Sequence, residues 1–412
     1  MGILALSKNL KPESGICREK IGLDCLIVCL YLISLPFTVV STPFGSVLRL
    51  VTVPVVAILA LRTLMGKTTI TFNYIHFFYM IYIVYTIFGL IFLHDEMAVT
   101  VTRDMVTIAM TMLLITVRTY NEREKDFMET VWLLVGLFCI FICLTSTEVL
   151  SEYESRVVIR VFGYQEDQNQ FCAYLIMPTL VCLRRFIEKR RFYPIYLIIT
   201  VLAMYAVLKT GSRGGLIGIL AGMIMYILFG IKSMRTRILI IIVAIFMAVI
   251  VVTVVFPLLP ADVQNRYSME TIIADRGTGR LEVWDYLLNY TTEKTERIIH
   301  GTGIFSTYGI LENSTLGFSV GVAHNTFIQI FVDQGIIGLV LFLFVVVACA
   351  IRNIKTQPLY FCAFMSVMVF SLSLTFYVFK PYINIMIMCA MSFSGQMSEN
   401  IIKKSIEEKG EI

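Results

Sequence analysis

Charged residues are scarce in this sequence. Asp, Glu, Lys and Arg supply 15% of its 412 residues, while 58% are hydrophobic. A soluble domain carries about 25% charge, so a soluble reading is excluded. Internal repeats, low-complexity tracts and a recognisable soluble domain are lacking too. The ten cysteines avoid the longest polar stretch, residues 257–325. Most of them, including Cys25, Cys29, Cys139, Cys143, Cys349 and Cys389, sit inside apolar runs. The pairs Cys25/Cys29 and Cys139/Cys143 have helical spacing, but no set of His and carboxylate residues stands near enough in sequence to complete a metal site. These cysteines read as small buried hydrophobes rather than a disulfide framework. A cleavable signal peptide is also missing: a polar, basic lead runs into a first apolar segment that continues into others.

What the chain does have is hydrophobic length. A helix rising about 1.5 Å per residue needs about twenty residues to cross a hydrocarbon core of about 30 Å. Apolar stretches of that order recur near 23–41, 46–65, 73–93, 98–117, 128–147, 171–183, 194–210, 213–230, 237–256, 326–350, 358–379 and 381–398. The sixth is short, and only Lys380-Pro381 separates the last two. The expected fold is an all-α integral membrane protein of about twelve transmembrane helices.

Orientation follows from Lys and Arg, which concentrate in short cytoplasmic segments. With the N-terminus inside, alternate connections hold 22 of the 34 positive residues. Arg49 and Arg103 fall within spans. This predicts a bacterial cytoplasmic (inner) membrane protein with both termini cytoplasmic. Residues 1–256 then hold helices one to nine, 257–325 an extracytoplasmic loop, and 326–412 helices ten to twelve with a cytoplasmic tail. A connection as long as 257–325 is functional or disordered. Leu281, Trp284, Leu287 and Leu288 recur at helical spacing after Thr278-Gly279, which predicts an amphipathic helix lying on the bundle or the membrane surface as a lid. A helix that merely packs satisfies the same pattern.

Polar residues in costly places mark candidate chemistry. Lys209-Thr-Gly-Ser-Arg213-Gly-Gly215 opens span eight at the outer side. A helix N-terminus, glycines and a guanidinium together suit a phosphate, although Lys209 and Arg213 could equally snorkel to the interface. Arg276-Gly-Thr-Gly-Arg280-Leu-Glu-Val-Trp284 lies in the long loop, where Arg280 opens the amphipathic helix or is simply solvated. Gly301-Thr-Gly303 follows no strand, so it is a weak nucleotide signal. Ala323-His324-Asn325-Thr326 precedes span ten; Asn325 can cap it, and an imidazole titrating near pH 6.5 can take a hydroxyl proton. The alternative is an interfacial histidine bonded to a nearby carbonyl. His76 and His94 are interfacial and His300 lies in the loop. Arg160 to Gln170, a polar run leading into span six, offers amides such as Asn169 to a sugar or a helix cap.

Taken in order, these segments resemble the O-antigen ligase and O-antigen polymerase superfamily of bacterial envelope glycosyltransferases. Ser-Arg-Gly-Gly at 212–215 resembles the family's arginine motif, and Arg280-Leu-Glu-Val-Trp284 the start of its periplasmic-loop helix. Gly301-Thr-Gly303 resembles the glycine pair that follows. His324-Asn325, running into a span with Gly335 and Gly338, is the most specific piece. Residues 163–171 are similar to a Gly…Pro-Asn pattern, with Gln168 where proline is usual. The likeness spans roughly 155–350.

The resemblance implies transfer of a glycan from an undecaprenyl-pyrophosphate carrier at the outer face of the inner membrane. Arg213 and Arg280 would bind pyrophosphate, and His324 would be the catalytic base. Asn325, Asn169, Arg160 and Trp284 are the candidate glycan-contacting or auxiliary residues. The outer segments show no convincing carboxylate cluster for Mg²⁺, so the expectation is inverting, metal-independent transfer with no cofactor. Partners would be the lipid-linked glycan and the bilayer, with a chain-length regulator or flippase as candidate protein partners and no nucleic acid. A polymerase of O-antigen, capsular or exopolysaccharide repeat units leads, on the likeness of Gly-Ser-Arg-Gly-Gly to polymerases. A ligase delivering finished glycan to lipid A-core or another acceptor uses the same donor. A transporter, the reading from another class, would require paired broken helices and an inverted repeat; Arg103-Asp104 is the only charged pair deep in a span.

Overall fold

The computed structural model of the chain describes residues 20–68, 70–91, 96–148, 156–274, 279–314 and 320–376. The helices of the first part are α1 (Leu23–Ser34), α2 (Val47–Leu64), α3 (Tyr74–Phe88), α4 (Glu96–Thr116) and α5 (Glu122–Thr145). Then come α6 (Gln168–Ile187), α7 (Tyr193–Lys209), α8 (Arg213–Met225) and α9 (Met234–Ile250). Five short helices follow: α10 (Ala261–Arg266), α11 (Met269–Ala274), α12 (Arg280–Thr292), α13 (Thr295–His300) and α14 (Ser306–Glu312). The last two described are α15 (Thr326–Asn353) and α16 (Pro358–Phe370). Among the described residues the strands form two small antiparallel hairpins, β1 (Ser41–Thr42) with β2 (Gly45–Ser46), and β3 (Ile159–Val161) with β4 (Tyr164–Glu166), beside an isolated bridge between Ile70 and Arg118.

Among the described residues, eight helical segments are long and apolar enough to cross a membrane. Three shorter apolar helices, Leu23–Phe37, Tyr193–Lys209 and Pro358–Phe370, accompany them. The first eleven expected spans each coincide with one of these segments. The twelfth, 381–398, lies outside the described residues, as do Lys8, Lys11, Arg18, Arg276 and Thr278. All eight described cysteines are free and buried.

Helix α6 is the hub. It is buried on every face from Gln168 to Leu183, packed among α5, α7, α8 and α16. It starts three residues earlier than the apolar run suggests because Asp167 caps it, accepting from the Gln170 amide at 2.8 Å. Close packing depends on missing side chains: a β-carbon on Gly136 of α5 would fall 2.4 Å from Pro178 of α6. Helix α8 works the same way. Added β-carbons at Gly215 and Gly218 would strike Cys172 of α6 at 2.6 Å and Phe370 of α16 at 2.9 Å. Gly215 of the Arg213 motif and Gly218 one turn on thus let three helices meet. By contrast, α9 is almost wholly exposed along its length.

One end of the bundle is held by buried ions. Arg184 forks onto Glu129, which is fully buried and also accepts from Tyr360. Arg118, 1% exposed, reaches Asp24, the Leu59 and Leu114 carbonyls and Thr63. Arg103 and Asp104 pair at 3.5 Å on an exposed face of α4. The described helices of residues 257–325, α10 to α14, pack at the opposite end.

Candidate functional site

Four helices of the central bundle and its covering segment begin at this covered end: α6 at Gln168, α8 at Arg213, α12 at Arg280 and α15 at Thr326. Their caps cross-link. Ser212 Oγ accepts from the Gly215 amide at 3.1 Å, as the cap of α8, and donates to Asn169 Oδ1 of α6 at 2.8 Å. Gln168 Nε2 donates to the Val157 carbonyl at 3.1 Å. Residues 168–170 are therefore a buried splice between helix starts rather than an open polar run. The hairpin beside them turns at Phe162 (φ 48°) and Gly163 (φ 86°), the two left-handed residues that a tight two-residue hairpin turn requires.

Arg213 leaves the first turn of α8 and donates from Nε (2.9 Å) and Nη2 (2.6 Å) to the Arg266 carbonyl. Arg266, itself buried, donates from Nε to the Gly211 carbonyl at 2.8 Å. Gly211 has φ +70°, and a β-carbon there would meet Arg266 Cδ at 3.1 Å and Arg156 Cγ at 3.5 Å. Three arginines thus surround one glycine turn. Burial pushes the phenol of neighbouring Tyr267 well above its ordinary range, and the charges of Arg266, Arg213 and Arg156 oppose that rise.

Sequence reasoning missed Arg156 and Arg266. Arg156 is only 7% exposed, and its buried Nε has no hydrogen-bond partner among the described residues. A buried donor left unmade costs about 1–3 kcal/mol, so this guanidinium is held at a loss.

His324 sits where a histidine is uncomfortable. Its φ of 48° is left-handed, a conformation costing about 1–3 kcal/mol that recurs at functional sites. Both flanks are tied down. Trp284 Nε1 of α12 donates to the Ala323 carbonyl at 2.7 Å, and the Ala323 amide donates to Gln329 Oε1 at 2.9 Å. Asn325 Oδ1 caps α15 by accepting from the amides of Phe327 (3.0 Å) and Ile328 (3.2 Å). The Thr326 amide donates to the Ser371 carbonyl at 2.8 Å. Burial lowers the imidazole pKa to about 4, helped by the charges of Arg280 and Arg156 and resisted by Asp167. The ring is therefore neutral at physiological pH, and its buried Nδ1 has no hydrogen-bond partner.

These couplings define one cluster. Arg280 and Arg156 both act on His324, and Arg156 joins them to Arg213 and Arg266 through the Gly211 turn. Arg160 lies apart: on β3 it pairs with Glu148 at 3.0 Å, half exposed. Lys209 donates to the Leu144 carbonyl at 2.9 Å, closing the C-terminal end of α5.

Two further findings revise the expected picture. The face that α12 buries is Val283, Leu287 and Thr291, while Leu281 and Leu288 are exposed. The reason is packing against Leu311, Ala323 and Val332, which takes every fourth residue. Helix α15 is also broken at Gly335, whose φ is 65°. The chain at 299–303 crosses there so closely that a β-carbon on Gly335 would lie 2.3 Å from the Ile299 carbonyl oxygen. Buried Asp333 secures the crossing, accepting from the Phe305 amide and Ser306 Oγ, each at 3.0 Å. Gly301 and Gly335 are thus shape requirements of this joint.

Below the arginine turn lies an apolar cavity of about 340 Å³ between α6, α7, α8 and α9, with Leu208, Leu216 and Phe256 among its walls. Phe256 packs edge-on against Tyr267 at 6.1 Å, and the Tyr267 hydroxyl donates to the Leu208 carbonyl at 3.2 Å. The cavity therefore adjoins the cationic cluster.

Residues 198–343 match the family model described as O-antigen ligase. No curated protein matches the chain. Among solved structures, a chain from "Structural coordination of polymerization and crosslinking by a peptidoglycan synthase complex" is similar. The likeness covers 79% of this chain and 97% of that one, at 14% identity and a TM-score of 0.46. The match at 198–343 takes in Arg213, Arg280 and His324 and supports the O-antigen ligase and polymerase superfamily.

Proposed function

We propose that the chain is a glycosyltransferase of the outer face of the bacterial cytoplasmic membrane, polymerising repeat units carried on undecaprenyl pyrophosphate. What supports this most is that Arg280 and Arg156 act on a neutral His324 while Arg156, Arg213 and Arg266 meet at the Gly211 turn. The diphosphate binds among the guanidiniums, Arg213 and Arg280 foremost, and the isoprenoid tail follows the apolar cavity below. The acceptor hydroxyl oxygen attacks the anomeric carbon and its proton passes to His324. The bond from that carbon to the diphosphate breaks, and the fixed cations stabilise the charge on the departing lipid diphosphate. Configuration inverts in this single displacement. The diphosphate itself brings negative charge beside the imidazole, which raises its basicity when a proton must be taken. Asn325 and Trp284 hold the His324 backbone, and Asn169 fixes the Arg213 turn through Ser212.

A ligase reading is favoured by the O-antigen ligase match and uses the same donor chemistry. Purified protein supplied with a lipid-linked repeat unit separates the readings. A polymerase yields a ladder of lengths, and a ligase yields product only when a distinct acceptor is added. No new glycosidic bond under either condition would reject both and leave a transporter.

A further inference from the structure

We propose that a second cleft, on the 257–325 segment, binds the acceptor glycan several residues from its reacting end. This rests on the glycosyltransferase reading for the identity of its ligand. The cleft holds about 480 Å³ and lies between α12 and α14, within the range of about 300–1,000 Å³ typical of ligand sites. Its walls are aromatic: Tyr286 and Tyr290 from α12, and Phe305 and Tyr308 at the start of α14. The Phe305 and Tyr308 rings stack 5.9 Å apart and nearly parallel, at 10°, and Tyr308 is 45% exposed. Around the rings stand the hydroxyls of Thr302 and Ser306, with Glu312 and Asn313 at the rim.

This combination selects a ligand class. A pyranose has apolar C–H faces that lie on aromatic rings and an edge of hydroxyls that both donate and accept. Tyrosines supply the faces at little entropic cost; a carboxylate, an amide and hydroxyls meet the edge. Arg297 stacks over the Tyr290 ring at 3.8 Å with its charge paired to Glu293, and the charged side chain among the described lining residues is the Glu312 carboxylate, which opposes a phosphate or diphosphate. The cleft therefore takes hydroxylated sugar, and the arginine cluster takes the anionic lipid head.

The cleft is also built into the catalytic loop. The Tyr308 ring lies against the backbone of Gly321, where a β-carbon would fall 2.4 Å from it, three residues before His324. Asp333 fixes the cleft floor by accepting from Ser306 Oγ at 3.0 Å, and Trp284, on the same helix as Tyr286 and Tyr290, holds Ala323. A glycan seated there has its continuation directed along the wall that carries the base.

The test uses full-length protein in nanodiscs, titrated with lipid-free repeat-unit oligosaccharide and followed by saturation-transfer NMR. The oligosaccharide is released by mild acid from the lipid-linked units that accumulate when this gene is deleted. Wild type and His324→Ala should bind alike. Tyr308→Ala and the rim variant Glu312→Ala, both at exposed positions, should each weaken binding by about ten-fold. Absence of binding to wild type, or wild-type affinity in both cleft variants, would overturn the cleft. If wild type still builds polymer from lipid-linked units in that case, the transfer reading stands without it. Binding through the cleft with no polymer or ligated product would instead reject the transfer reading and leave a glycan-binding site.

Discussion

His324 combines a neutral ring, a left-handed backbone and neighbours that are cations. An ordinary histidine base loses activity as pH falls through about 6.5; this one, with its pKa lowered to about 4, should hold kcat/KM level through pH 6 and break near its own value. Replacing Arg280 with Gln removes a charge that opposes protonation, so the acid limb should move upward even as the rate falls. A pH profile of product formation on both proteins checks this, and an unmoved limb would contradict it. The same shift acts on stability. Between about pH 4 and 6.5 the unfolded chain binds the proton that the folded chain refuses, so stability declines as pH falls across that window. Arg156 makes a separate prediction. Its buried Nε, without a hydrogen-bond partner among the described residues, is a cost in the free protein, so Arg156→Met should leave stability unchanged or raised by up to about 1–3 kcal/mol, read as an unchanged or higher melting temperature. The same variant should raise the KM for lipid-linked donor, and a purely structural arginine would do the reverse.

At the scale of elements, α8 carries the site because glycines bring it against α6 and α16. Gly215→Val should cost about 1–3 kcal/mol by overpacking, read as a lower melting temperature, and should also displace Arg213. Much of this architecture was readable in the sequence, since span positions follow from hydrophobic length alone. Arg213, Arg280 and His324 were readable as polar groups beside hydrocarbon. The start of α6 was hidden because Gln168-Asn169-Gln170 looks like loop, and its amides are buried only through partners at Val157 and Ser212, distant in sequence. Arg156 and Arg266 were invisible for the same reason: nothing local marks an arginine that the fold later presses against a glycine turn. The glycines at 301 and 335 resembled a motif, and their use is steric, at a crossing no local pattern reveals.

Across the whole molecule, the two ends of the bundle do different work. One is closed by ion pairs whose charges satisfy one another, such as Glu129 with Arg184. The other gathers arginines and a neutral histidine at helix starts, with Asp167 among the charges that act on the imidazole. Glu129→Ala should therefore cost about 3–5 kcal/mol of stability by stranding Arg184 while leaving donor KM near that of wild type. The central claim, that His324 takes the proton of the acceptor hydroxyl over a bound diphosphate, is tested most directly by single turnover of lipid-linked repeat units by His324→Ala in nanodiscs. Donor binding should persist, and the bond-forming rate should fall by about 10²–10⁴-fold. Product formation at the wild-type rate would contradict the account.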